Sequence, residues 1–148
     1  MMQNDPERVA IRFVNEINRH DVAALTAMMA PDFRFVDGLG QEVRGAERMG
    51  AGWAAYFALF PDYQILISAH LSAGPMVALF GTASGTLAEE GDLPRRNHWM
   101  LPAAWRAVVR EGRVSEWQVY VDTTPVQRLL DARSGPNLEG RREVGTQG

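Results

Sequence analysis

The spacing of apolar residues changes period once along this chain, at Pro61–Asp62, and that switch limits the folds open to it. Before it, apolar side chains recur every three to four positions: Val9, Phe13 and Ile17; Val22, Leu25, Met28 and Met29; Met49, Trp53, Tyr56, Phe57 and Phe60. This is the stripe of amphipathic helices. Asp5 and Pro6 open the first, Asp21 caps the second, which Pro31 stops, and the third spans Ala46 to Phe60. Between the second and third, Phe33 and Phe35 alternate with Arg34 and Val36, a short strand ending at Asp37–Gly38, followed by a loop through Gly40 and Gly45. After the switch, strands follow one another. Tyr63–Ser72 carries Ile65, Ile67, Ala69 and Leu71 on one face, Gly74–Pro75 turns, and Met76–Leu87 runs back. His98–Arg110 is a long strand whose Pro102 implies a bulge or an edge. Glu111–Gly112 is a tight turn into a last strand, Arg113–Asp122, and Pro125, Leu129 and Leu130 suit a closing helical turn. Helices early and an antiparallel meander late make an α+β domain.

The chain has 148 residues, 46% of them hydrophobic. A chain of this length closes one core, burying roughly 68–70% of its unfolded surface. Its apolar runs fall short of the ~18 residues of a membrane span. Met1–Glu7 is polar, so no leader is expected, and the reading is of a cytoplasmic protein. There is no Cys, hence no disulfide, thiolate metal site or thiol nucleophile. All 15 basic residues are Arg, which excludes a Schiff-base or P-loop lysine. The net charge of −3 does not by itself exclude nucleic acid, but no basic stripe argues for it, so no nucleic-acid partner is expected. No glycine-rich phosphate loop and no His pair at ligand spacing occurs, so neither a cofactor nor a metal is expected. The expected domain covers residues 1–132, with a polar, Gly-rich tail over 133–148.

Three stretches carry a resemblance: FVNEINRHDVAALTAMMAPDFRFVDGLGQEVRG, FALFPDYQI and WRAVVREGRVSEWQVYVDTTPVQRLL. In order and spacing they resemble the SnoaL-like branch of the nuclear transport factor 2 (NTF2-like) superfamily, which includes polyketide cyclases, ketosteroid isomerases and limonene epoxide hydrolases. The resemblance covers about Val9 to Leu130. It implies a cone: a curved mixed sheet wrapped on three N-terminal helices around a deep apolar pocket, commonly with homodimerisation through the sheet's outer face. It also implies a small hydrophobic ligand of polyketide, terpenoid or steroid type.

The resemblance makes Asp37 the first candidate, since it matches the proton-shuttling base of the isomerases. A carboxylate at the mouth of an apolar pocket suits proton abstraction. An Asp before Gly38 is equally at home in a turn. The isomerases' hydrogen-bond donors for a developing enolate are missing: their positions fall at Phe13 and near Ala103. The cyclases' His and Asp on the last strand are matched by Trp117 and Val119. Of the hydrolases' Asp–Arg–Asp relay only Arg106 and Asp122 are near. What remains is aromatic. Phe13, Trp53, Trp99, Trp105, Trp117 and Val119 either line a cavity for a flat hydrophobic ligand or fill the cone as core. Tyr56 and His98 are the further candidate catalytic donors beside Asp37, against readings as a helix-edge tyrosine and a surface histidine. Three functions stay open: a cofactor-free isomerase, cyclase or hydrolase with Asp37 as general base; a non-catalytic binder using the same pocket; and an interaction module using the outer sheet face.

Overall fold

The computed structural model describes residues 5–133. Residues 134–148 of the expected tail lie outside them.

Helix α1 (Pro6–Arg19) begins with proline in its first turn and buries Val9, Ala10, Phe13, Val14 and Ile17. It ends at His20, whose left-handed backbone (φ 58°) lets the His20 and Asp21 N–H groups reach the Ile17 and Glu16 carbonyls. Helix α2 (Val22–Met28) is capped as expected, the Asp21 carboxylate accepting from the Ala24 N–H at 3.0 Å. Strand β1 (Met29–Val36) starts four residues earlier than the alternation of Phe33 and Phe35 implies and runs through Pro31. A short strand, β2 (Glu42–Arg44), lies inside the stretch expected to be loop. It has only three residues, so alternation has no length in which to show. Helix α3 (Ala46–Leu59) then buries Met49, Trp53 and Phe57.

Strands β3 (Gln64–Ala73), β4 (Met76–Thr86), β5 (His98–Arg110) and β6 (Arg113–Tyr120) form the meander, and helix α4 (Thr124–Arg133) closes the described chain. The six strands lie in the order β2-β1-β6-β5-β4-β3, antiparallel except for the parallel pair β1–β6. This is the mixed sheet implied by the resemblance, and α1 and α3 pack on its inner face. The hairpin turn is where it was expected, with Glu111 and Gly112 both at positive φ. Pro102 sits opposite Thr82 of β4, but the ladder to β6 begins only at Ala104, so its other side is a local edge.

One correction alters what faces inward. Strand β3 does not keep a single alternation: Ile67 pairs with Gly81 but Ala69 pairs with Phe80, so Ser68 is an extra residue in a bulge. Ile65 points into the core, whereas Leu71 beyond the bulge is 67% exposed on the outer face. His70 turns inward instead and meets Glu7 of α1, Nδ1 to Oε2, at 2.7 Å.

Side-chain amides and rings pin helix to sheet. Asn18 of α1 continues the ladder by hand: its Nδ2 donates to the Ile65 carbonyl at 2.9 Å, and its Oδ1 accepts from the Ile65 N–H at 2.8 Å. The His20 ring stacks on Phe57 at 4.1 Å, and its Nε2–H donates to the Tyr63 carbonyl at 2.8 Å. These contacts fix the end of α1, the last turn of α3 and the α3–β3 junction against one another. Among the described residues no helix is long and apolar enough to cross a membrane.

Candidate functional site

The inner face of the sheet and α3 do not meet over their whole length. Near the ends of β1 and β6 they leave a cavity of about 390 Å³, within the range of small-molecule sites. Its floor and walls are Trp117, Val119 and Val121 from β6 and its extension, Trp99, Leu101 and Ala103 from β5, Ala83 from β4, Phe35 and Val43 from the β1–β2 pair, and Met49, Trp53 and Tyr56 from α3. Tyr63 closes one end at the α3–β3 junction. Asp37, Thr123 and Gln127 stand at the other, beside β1 and α4. Helix α4 covers this side with Val126 and Leu130, so the expected closing turn is a ten-residue helix over the cavity.

Two-residue periodicity explains why these side chains converge. Trp99, Leu101 and Ala103 share one face of β5, and Trp117 and Val119 one face of β6. The same rule sends His98 outward. It does not meet the cavity: its Nδ1–H donates to the Thr86 hydroxyl at 3.0 Å, which donates to Asp62 Oδ2 at 2.7 Å, while Asp62 Oδ1 accepts from the Thr86 N–H at 2.7 Å. A carboxylate only accepts, so Thr86 must give its single proton to Asp62, and His98 then carries its own on Nδ1. The chain ties the ends of β4 and β5 to the turn after α3.

Phe13 and Trp105 also lie outside the cavity wall. Phe13 is fully buried beneath it, with its ring 5.0 Å from Trp117, 6.2 Å from Trp53 and 6.3 Å from Phe33. Trp105 is one step further along β5 toward the hairpin, where α1 packs on the sheet and the cone is filled. The aromatic set therefore divides. Phe13 and Trp105 fill the core, while Trp53, Trp99, Trp117 and Val119 form cavity wall.

Asp37 is the one charged residue among the described cavity lining. Its Oδ1 accepts from the backbone N–H groups of Leu39 and Gln41, each at 2.9 Å, and the Asp37 N–H donates to the Gln41 carbonyl at 2.9 Å. It is thus both the turn residue and the rim carboxylate. Its Oδ2 makes no hydrogen bond to a described residue. Gly38 keeps the rim low: a Cβ there would lie 2.8 Å from the Thr123 methyl.

The phenols are the feature that sequence reading caught only by half. Tyr56 stacks edge-on against Tyr63, with centroids 5.0 Å apart and an interplanar angle of 87°. Burial pushes both phenols well above the ordinary tyrosine range, and each is held neutral. Neither hydroxyl has a hydrogen-bond partner among the described residues. Trp53 and Trp99, both on the wall, bury indole N–H groups without an acceptor, as does Trp105. Tyr63 could have been found from the sequence by extending the inward parity of Ile65 back by two positions.

The hydrolases' relay is not assembled either. Arg106 pairs with Glu116 at 2.8 Å on the outer face, and Asp122 caps α4 through the Thr124 N–H at 3.0 Å. That backbone bond holds the Asp122 carboxyl below the usual range. Among the described residues no group of three His, Asp or Glu side chains is placed to hold a metal ion.

The chain matches the SnoaL-like domain family over residues 10–117. It belongs to the SnoaL-like family. Solved structures share the fold of this SnoaL-like domain. A candidate SnoaL-like polyketide cyclase from Jannaschia sp. CCS1 is 22% identical, with a TM-score of 0.73 over 88% of this chain and 93% of that one. IdmH from Streptomyces antibioticus, a candidate polyketide cyclase, is 23% identical, with a TM-score of 0.70 over 85% and 98%. A hypothetical protein of ketosteroid isomerase-like fold from Catenulispora acidiphila DSM 44928, in complex with trimethylamine, is 19% identical, with a TM-score of 0.70 over 82% and 90%. At these identities the likeness speaks for the fold alone. No curated protein matches the chain.

Proposed function

We propose that this SnoaL-like domain binds one small, neutral, largely apolar molecule in its cavity and that Asp37 takes a proton from it without a cofactor. The observation that carries the reading is a 390 Å³ apolar cavity with a single carboxylate on its described lining. Apolar walls supply the binding, roughly 25 cal/mol per Å² of apolar surface removed from water. The turn amides hold Asp37 through Oδ1 and leave Oδ2 for the reacting proton. Flat aromatic walls suit a fused-ring ligand of the polyketide, terpenoid or steroid type, and the candidate cyclases among the solved relatives agree with the first of these.

The test is proton exchange. In deuterium oxide the protein should speed exchange of the α-protons of 1-tetralone, a fused-ring ketone, followed by NMR. Asp37→Asn should lose at least about 100-fold of that acceleration, the usual share of a general base. If the protein binds the ketone and leaves exchange at the solvent rate, the non-catalytic binder takes its place. A specific observation favours that second reading: the enolate donor position of the isomerases is filled by Phe13, a core ring.

The outer sheet face supports a homodimer. Leu66, Leu71, Met76, Phe80, Met100 and Tyr120 are exposed there across β3, β4, β5 and β6. Large contiguous apolar patches of this kind mark association surfaces. The opposite half of the same face carries the chain Glu42–Arg34–Glu116–Arg106. The apolar half is therefore the part a second copy would cover.

A further inference from the structure

The cavity is uneven in its hydrogen-bonding groups. Tyr56 and Tyr63 stand together at the α3–β3 end, and Asp37 at the β1–α4 end, on the far side of the sheet order β1-β6-β5-β4-β3. Tyr63 is 8% exposed, lines the cavity, and has no acceptor for its hydroxyl among the described residues. A hydroxyl on the cavity wall that has no partner among the described residues is free to donate to an acceptor that enters. The rings are packed edge to face, Tyr63 is further packed on Trp99 at 6.0 Å and Tyr56 on Phe60 at 4.9 Å. These contacts fix the directions of the hydroxyls. Both groups stay protonated in their buried setting and can donate. No Arg or His is on the described wall to neutralise an anion, and Asp37 would repel one.

We propose that Tyr56 and Tyr63 form a paired donor site that selects ligands carrying a neutral acceptor oxygen, a ketone or quinone carbonyl, at the α3–β3 end of the cavity. The inference rests on the cavity being a ligand site and adds which chemical class it takes and which donors hold it. The donors come from α3 and the turn after it, positions unrelated to Phe13 and Ala103, where the isomerase pattern would have placed them.

Two probes of one shape separate the possibilities: 1-tetralone and tetralin, which differ by the carbonyl. Binding is followed by quenching of tryptophan fluorescence, since Trp53, Trp99 and Trp117 are on the wall. Tyr63→Phe should weaken 1-tetralone about three- to tenfold, the worth of a net neutral hydrogen bond, and leave tetralin within about twofold. Tyr56→Phe should do the same. These substitutions remove hydroxyls that have no protein partner, so the fold should survive them. The infrared carbonyl stretch of bound 1-tetralone should lie below its value in hexane and return toward it in the double variant. Equal losses for both probes, or a carbonyl stretch that the variants do not move, would overturn the donor site while leaving the cavity reading intact. If neither probe binds the wild-type protein, the cavity reading falls and the donor site with it.

Discussion

Asp37 uses its two carboxylate oxygens differently. Oδ1 closes a turn through two backbone amides, and Oδ2 is left for chemistry. An amide side chain can imitate the first role but not the second. Asp37→Asn should therefore unfold within about 0.5 kcal/mol of wild type, whereas Asp37→Ala should lose about 1–2 kcal/mol by leaving the Leu39 and Gln41 N–H groups unpaired. Urea unfolding of the two variants checks this, and equal stabilities would sink the turn role. The phenols make a second prediction. Folding raises the pKa of Tyr56 and Tyr63 above their unfolded value, so the folded protein holds their protons more tightly. Stability from this source is complete below pH ~10, the unfolded tyrosine value, and is lost as pH rises beyond it. Unfolding free energies from pH 8 to 11 should fall at the alkaline end, and less steeply in the Tyr56→Phe/Tyr63→Phe double variant. An identical fall in both proteins would contradict it. At this scale Asp37, Tyr56 and Trp53 were legible in the sequence because each sits at a predicted element end or on a helical stripe. Tyr63 was missed although it shares the inward parity of Ile65, because its partner Tyr56 lies on another element and only the α3–β3 junction brings the two rings together.

The elements with strong periodicity were legible nearly to the residue. Strand β5 covers His98–Arg110 as expected, and α3 begins at Ala46. What escaped was set by neighbours rather than by local pattern. Strand β2 exists because β1 offers it an edge, Phe35 pairing with Val43. The Ser68 bulge exists because β3 must follow the curve of β4, and it reverses which residues face the core. Gly81 marks the same place from the other strand. A Cβ there would stand 1.8 Å from the Leu66 carbonyl oxygen, so only glycine lets the two backbones approach. Gly81→Ala should cost at least about 2 kcal/mol, since it forces strand backbone apart and not merely a side chain. A thermal melt unchanged by this substitution would refute the close approach.

Across the whole molecule, the cone is a division of labour between two ends. Where α1 packs on the sheet, Phe13, Trp105 and Ile17 fill the interior. Beyond α1, at the β1–β6 ends and under α4, the interior stays open. The sequence could say that these aromatic residues face inward, but not which of them meet a helix, because the answer depends on where α1 ends over the sheet. The outer face divides as well, into an ion-pair half and an apolar half. We expect sedimentation to give about twice the 16.4 kDa chain mass, and Leu71→Arg with Phe80→Arg to give the monomer without loss of the fold. A wild-type monomer would remove the dimer reading.

If the open end of the cone is a ligand site, filling it removes binding. Ala103 lines the cavity from β5, and Ala103→Phe places a ring in the space. Titrating 1-tetralone against tryptophan fluorescence should show saturable quenching in the wild type and a loss of at least about tenfold in affinity in the folded variant. Equal binding by both proteins, or none by the wild type, would show that the open end is not a ligand site.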